Sequence, residues 1–457
     1  MSRAAGGSGV LARWTLRLVL LGALLLMLRL NLPGHLTVDS VLALHEGRFG
    51  VRTTWNPAFF GWLLGVLDRI RPGTELAVVM SGVLLFGAWA LLPALRPRTS
   101  WLAPILALAL ISLPQAMIYP GIVWKDVQFA VAAVAGFTLL GLAVRDPARP
   151  TPWICLVLAA LLFAAAGLLR QNGLILALPA ALAIAWARSG SGGWRRSLPL
   201  AMGWLVAVAV LTFVLSAVAQ PQGAGRPDSA GGKGVRILQT YDLVAAIALD
   251  PTLTTPHLDR AAPAVAPYLR AHAARIYAPE RVDTIGWDPA LSGLLRKVPS
   301  DVIQREWVDL VTEDTGVYLH ARALAFQQVL GTPAIDRCLP LSVGAEGPAP
   351  AMAALKMQPR RSAGDQRLYN YATWFLDTPA MSHLTFAAIA LAVGVFLLVR
   401  RDPADLAIAG LLAGALGFAA SFFAISIACD YRYLYLLDLA AITGLIYLAI
   451  DPRLRRR

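Results

Sequence analysis

Several side chains capable of chemistry fall at the ends of apolar runs. Asp39 lies in NLPGHLTVDSVLALHEGRFGVRTTWNPAFFGW, residues 31–62, where the chain first leaves a long apolar run, in a stretch too polar to continue as a spanning helix. An acid there can act as a general base toward a hydroxyl, or cap a helix running through SVLALHEG, and the two roles are compatible. Trp55 and Asn56 follow in WNPAFFGW. Lys125 and Asp126 in YPGIVWKD begin another apolar run; they read either as a local ion pair beside an interfacial Trp, or as a Lys that meets a phosphate while Asp126 orients it. Arg170 ends a run just before Gln171, Asn172 and Gly173, in a helix-hairpin turn or in a fork suited to phosphate oxygens. Asp430, Tyr431 and Arg432 form a further turn, whose plainer reading is interface anchoring. Together these groups supply cations for a phosphate, an acid for proton abstraction, and polar and aromatic surfaces for a sugar or another hydroxylic acceptor.

The elements that position them are membrane helices. With 57% hydrophobic and 15% charged residues and a mean hydropathy of +0.61, the chain of 457 residues has the composition of an integral membrane protein. Apolar blocks predict about ten spans, with a range of nine to twelve, near 12–30, 75–95, 101–118, 126–144, 152–169, 173–187, 199–219, 381–399, 405–427 and 433–450. Residues 57–70 are too short to cross and read as an interfacial or re-entrant helix started by Pro57. The first run lacks a convincing cleavage site and reads as an uncleaved helix.

The net charge of +13 resides at the ends of these runs, not in a concentrated basic face, so nucleic acid is not an expected partner. Ten crossings put Arg3 and Arg13, Arg96 and Arg98, Arg145 and Arg149, Arg188 with Arg195 and Arg196, Arg400 and Arg401, and Arg453 with Arg455, Arg456 and Arg457 on one side. The positive-inside tendency makes that side, and both termini, cytoplasmic. Asp39, Lys125, Arg170, residues 220–380 and the 429–433 turn then face outward, which in a bacterium is the periplasmic side of the inner membrane.

The predicted organisation is a membrane module at 1–219 with its first outer loop at 31–74, an extracytoplasmic cap at 220–380, and C-terminal membrane helices at 381–457. Within the cap, residues 219–236 are rich in Gly, Ala and Pro and read as a flap or linker. YDLVAAIALD and LRAHAARIY read as short helices, and 301–330 as a longer one capped by Ser300 or Asp301, with a break at Gly316. The expected fold class is an all-α polytopic membrane protein with a mostly helical cap. Cys155, Cys338 and Cys429 show no metal spacing and no evident pairing, so packing is their expected role.

Read in order, TVDS with Asp39, WNPAFFGW, WKDVQF, RQNG, a large outer loop and YRYLY resemble the GT-C superfamily of membrane glycosyltransferases that use polyprenyl-phosphate sugars. The resemblance covers nearly the whole chain and is to bacterial mannosyltransferase- or aminoarabinose-transferase-like members. It implies a GT-C-like fold, Asp39 as catalytic base, and Lys125 and Arg170 as donor-phosphate contacts. Trp55, Asn56, Asp126, Asn172, Asp430, Tyr431 and Arg432 would bind or orient substrate. Related proteins usually carry His and two prolines where this chain has Asn56, Pro57 and Ala58. Their later Tyr, His and Arg are matched loosely by Tyr318, His320 and Arg322 in GVYLHARAL.

Some members bind a divalent metal, which leaves one possible here, but the paired acids usual there are missing around Asp39, which Ser40 follows, so metal dependence is unsupported and no cofactor is assigned. The implied reaction is inverting transfer of a sugar from a polyprenyl-phosphate donor to a hydroxyl of a lipid, glycan or protein acceptor in the cell envelope. A lipid-linked glycan transporter or flippase, and a ligase or polymerase using a diphosphate-linked glycan, are the competing readings. No nucleotide-binding glycine fingerprint, phosphate loop or metalloprotease His-Glu signature is present.

Overall fold

The computed structural model describes residues 2–54, 56–145, 151–220 and 230–454. Trp55, Arg149, Arg455 to Arg457 and residues 221–229 of the expected flap lie outside them. The described chain is built from helices: α1 Ser2–Asn31, α2 Val38–Phe49, α3 Ala58–Ile70, α4 Glu75–Leu91, α5 Leu102–Ile111, α6 Pro114–Met117, α7 Lys125–Arg145, α8 Thr151–Leu169, α9 Ala177–Gly192 and α10 Trp194–Val218. Then come α11 Ala230–Leu249, α12 Pro256–Ala261, α13 Val265–Ile276, α14 Asp283–Trp287, α15 Pro289–Leu295, α16 Ser300–Thr312 and α17 Thr315–Gly331. Last are α18 Ala349–Ala354, α19 Ala363–Thr373, α20 His383–Arg400, α21 Pro403–Ile425 and α22 Tyr435–Ile450.

Among the described residues seven segments are long and apolar enough to cross a membrane: Gly7–Asn31, Glu75–Leu95, Lys125–Arg145, Ser197–Val218, His383–Arg400, Pro403–Ile425 and Tyr431–Ile450. The chain is thus an all-α polytopic membrane protein, since helices satisfy most of their backbone groups internally where water is absent. The predicted ten reduce to seven, or eight if the run at 101–118 counts. That run is bent by 82° between α5 and α6, because Pro114 removes a helical N–H and holds Leu113 extended (φ −66°, ψ 145°). The runs at 152–169 and 173–187 give the shorter apolar helices Trp153–Leu169 and Gly173–Ala187, separated by the polar turn that begins at Arg170.

Two compact units emerge, one of Met1–Gly225, Leu341–Phe418 and Leu434–Arg457, the other of Arg226–Pro340 and Ala419–Tyr433. Residues 341–380, expected in the cap, belong to the first unit, because Leu36 and Ala345 pair as a short parallel bridge and Ala345 pairs in turn with Arg360. Where the flap was expected, residues from Ala230 onward are already helical in α11. The second unit has its own core, in which Tyr241, Val244, Leu258, Leu269, Ile303 and Leu310 are buried. Its long helical candidate is two helices, α16 and α17; Pro299 stands at the N-cap of α16, in place of Ser300 or Asp301, and the break precedes Gly316.

Two features differ from the charge and cysteine readings. Cys338 and Cys429 form a disulfide across 91 residues of sequence, a pairing that spacing alone does not reveal; Cys155 is free and buried as expected. Arg96 and Arg400 are not loop charges. Arg96 is 3% exposed and pairs with Asp405 (3.3 Å) and Asp451 (3.0 Å), while Arg400 grips Asp405 through two 2.7 Å bonds.

Candidate functional site

The site in the first unit is assembled on α2, α3 and the start of α7. Between α1 and α2 the chain is pinned on both sides: the His35 N–H donates to the Gly121 carbonyl (2.9 Å) and the Val123 N–H to the His35 carbonyl (2.9 Å), while the Leu36 N–H donates to Gly344 (2.9 Å). Gly121 has to be glycine here, since a Cβ would lie 2.3 Å from the Asn31 Cβ. These bonds place the segment before Asp39 against the segment before Lys125. His35 is the internal tie: Gly344 N–H donates to its Nδ1 (3.0 Å), so Nε2 carries the proton toward Asn31 Oδ1 (3.0 Å). Burial pushes the His35 pKa down to about 4, against the pull of Asp365.

Helix α2 is capped by Thr37 and Ser40, not by Asp39. Thr37 N–H donates to Ser40 Oγ (3.2 Å), the reciprocal half of the capping box is also made, and Trp124 Nε1 donates to Thr37 Oγ1 (3.0 Å). Asp39 therefore stands in the first turn with a carboxylate that capping does not require. It is half-buried, at the end of the helix where the dipole favours negative charge.

Helices α2 and α3 pair in step: a Cβ on Gly61 would touch Ala43 O, one on Gly65 would lie 2.3 Å from Gly47 O, and Arg48 grips Asp68 through bonds of 2.7 and 2.5 Å. Residue numbers rise together, so the helices run in the same sense and the chain between them must travel back along α2. Buried Glu46 holds that return strand, accepting bonds from the N–H groups of Thr53 (2.7 Å) and Thr54 (2.5 Å). The return brings Asn56 to the start of α2. Asn56 is 1% exposed, donates from Nδ2 to the Asp39 carbonyl (3.4 Å), and accepts from Lys125 Nζ at Oδ1 (2.9 Å). Asn56 is thus the amide joining the Asp39 backbone to Lys125.

Asp126, 2% exposed, pairs with Arg170 Nε at 3.0 Å, and the Arg170 guanidinium lies over the Phe418 ring, 5.9 Å from its centroid. The ends of α7 and α8 are joined in this way, and Asn172 caps the short 3-10 turn Gly173–Leu176 beside them. Asp39, Asn56, Lys125, Asp126 and Arg170 thus form one connected set.

In the second unit the predicted trio does not converge. Residues two apart on a helix face opposite ways, so His320 is exposed while Tyr318 packs on the core edge-to-face with Trp307. Arg322 is 0% exposed, bonded to Asp242 (2.6 Å), the Phe423 carbonyl (2.9 Å) and Ser426. Asp242 also accepts from Trp307 Nε1 (2.9 Å), and burial raises its pKa against the pull of Arg322. This places Arg322 as the internal tie of its unit. Asp430 and Arg432 pair at 3.0 Å, and Tyr431 is buried.

His35 and Glu46 are the residues that sequence reading passed over. Glu46 carried a signal, an acid on the inward face of α2 seven residues after Asp39; His35 carried none, because its partners lie far along the chain.

No protein-family model and no curated protein matches the chain. Among solved structures it is similar to the oligosaccharyltransferase AglB of Archaeoglobus fulgidus in complex with an inhibitory peptide and a dolichol-phosphate. That match has 18% identity and a TM-score of 0.41, covering 96% of this chain and 50% of that one. It is also similar to ArnT from Cupriavidus metallidurans bound to undecaprenyl phosphate, with 14% identity and a TM-score of 0.36, covering 94% of this chain and 77% of that one. The chain spans about half the length of the archaeal oligosaccharyltransferase chains it matches.

Proposed function

We propose that the protein is a GT-C-type glycosyltransferase that moves a sugar from a polyprenyl-phosphate donor to an acceptor hydroxyl. The observation that carries this reading is the Asp39–Asn56–Lys125 connection: the backbone at Asp39, in the first turn of α2, is joined through one buried amide to an ammonium at the start of a spanning helix. Asp39 takes the proton of the acceptor hydroxyl as its oxygen attacks the anomeric carbon. The bond from that carbon to the phosphate oxygen breaks, and polyprenyl phosphate leaves with the electron pair. Lys125 and Arg170 stabilise the charge that develops on the leaving phosphate, and Asp126 sets the guanidinium in place. A single displacement inverts the anomeric configuration.

The reaction is assigned to the extracytoplasmic face of the bacterial inner membrane. The Cys338–Cys429 disulfide supports an oxidising compartment for the second unit, since such bonds persist there and are rare in the cytosol. The test is Asp39→Asn in purified protein, with donor turnover followed as released polyprenyl phosphate. Turnover should fall roughly 10²- to 10⁴-fold, the range for a general base, in a variant that still folds, because the Thr37–Ser40 box keeps the helix start. Full transfer by the folded variant would overturn the assignment.

A further inference from the structure

Between α2, α3 and the end of α10 lies a cavity of about 400 Å³, within the range of small-molecule sites. Its wall carries Arg48, Arg52 and Arg69 with Glu46, and the rings of Phe49 and Trp62. The charges are not equivalent. Arg48 is committed to Asp68 and to the Leu355 carbonyl (2.9 Å), and Glu46 to the amides of Thr53 and Thr54. Arg52 makes one long bond, to the Asn56 carbonyl (3.3 Å), and neither it nor Arg69 has a carboxylate partner among the described residues. Two guanidiniums without counter-charge in a concave wall next to aromatic rings suit an oxyanion carried on a sugar.

The cavity adjoins the catalytic set. Asp39 and Glu46 lie on one face of α2, and the seven residues between them rise roughly 10 Å. Arg52 is bonded to Asn56, the residue that touches Lys125. Resting on the transfer reading above, we infer that this cavity seats a phosphate monoester borne by the acceptor, held by Arg52 and Arg69, while the acceptor hydroxyl faces Asp39. Recognition at one end of α2 then selects which hydroxyl arrives at the other. The phosphate monoester is carried either by a soluble sugar phosphate or by a lipid.

The full chain in phosphatidylcholine nanodiscs is titrated with glucose 6-phosphate and glucose. Glucose 6-phosphate should bind at least tenfold tighter than glucose, and Arg69→Gln and Arg52→Gln should each weaken it about tenfold. Arg69 is exposed and makes no side-chain hydrogen bond or ion pair among the described residues, so its variant is the cleaner one; Arg69→Lys, which keeps charge but loses the fork, should fall between. Nanodiscs containing phosphatidic acid separate the two sources: competition with glucose 6-phosphate assigns the lipid-borne form, and its absence the soluble one. Binding by the Arg52→Gln/Arg69→Gln double variant equal to that of the parent chain, or glucose bound as tightly as its phosphate, overturns the inference. The transfer reading is tested separately, because Asp39→Asn should lose turnover and keep anion binding. Full turnover in that variant with intact anion binding would sink the transfer reading and leave the anion site standing.

Discussion

Replacing Asn56 separates a positioning role from simple packing. Asn56→Ala removes the acceptor that holds Lys125 at 2.9 Å and the donor that reaches the Asp39 carbonyl at 3.4 Å. The second bond is long and counts for little; the first, to a charged donor, is worth about 1.5–3 kcal/mol. If that anchoring is needed only as charge develops on the phosphate, kcat falls roughly 10- to 150-fold. Asn56→Asp keeps the size and the acceptor but sets a carboxylate against the ammonium. At ~4 Å and an effective dielectric of ~20 the new pair is worth about 4 kcal/mol. The donor phosphate must compete with it, so kcat should fall by roughly 10³-fold. Stability runs the other way, because Asp fills the 1%-exposed site and pairs with Lys125, whereas Ala leaves a gap. Release of polyprenyl phosphate from a labelled donor gives the first ranking, and melting curves of the same preparations give the second. Activity that tracks melting temperature across both variants, or Asn56→Asp at full turnover, would refute the positioning role.

Two further outcomes follow from the ties on either side. His35 has a folded pKa of about 4 against an ordinary 6.5, so the unfolded chain binds a proton that the fold resists. Stability is full above pH 6.5 and falls by about 3 kcal/mol as pH drops to 4. Melting curves across that window should flatten in His35→Gln; an equal slope in both proteins would contradict the tie. Separately, Cys338→Ala with Cys429→Ala opens a loop of 91 residues and should cost about 4–5 kcal/mol of stability by the chain-entropy account. Proteolysis should report this within 226–340 first, and cleavage appearing equally early in 1–220 would count against it.

The sequence carried the membrane class, the short helix after Pro57 and the helices of the second unit, because each is written locally as apolar length or periodicity. It carried Asp39, Lys125 and Arg170 as candidates, because charge at the end of an apolar run is conspicuous. Pairing was not legible. That Asp126 faces Arg170, that Asn56 bridges Asp39 and Lys125, and that Cys338 meets Cys429 depend on contacts across 44, 69 and 91 residues, which no local pattern encodes. The cap of α2 is open in the sequence for a different reason. TVDS offers three capping side chains in four residues, and backbone geometry at Thr37 chose among them. Tyr318, His320 and Arg322 are grouped only by a loose resemblance in GVYLHARAL, and helical geometry separates the second from the other two.

The buried Arg96 has a history as well as a position. Its partners Asp405 and Asp451 lie 309 and 355 residues downstream. At ~5–20 residues per second, the ribosome needs roughly 15–60 s after making Arg96 to reach Asp405. Throughout that interval the guanidinium is an uncompensated cation beside a newly inserted helix, available to orient it as a loop charge would. Only when the last helices arrive does the same side chain become a closing bolt. The timing makes the network a late one, and Arg96→Met should show it: Asp451 loses its buried cation and the variant should melt at a lower temperature than the parent chain.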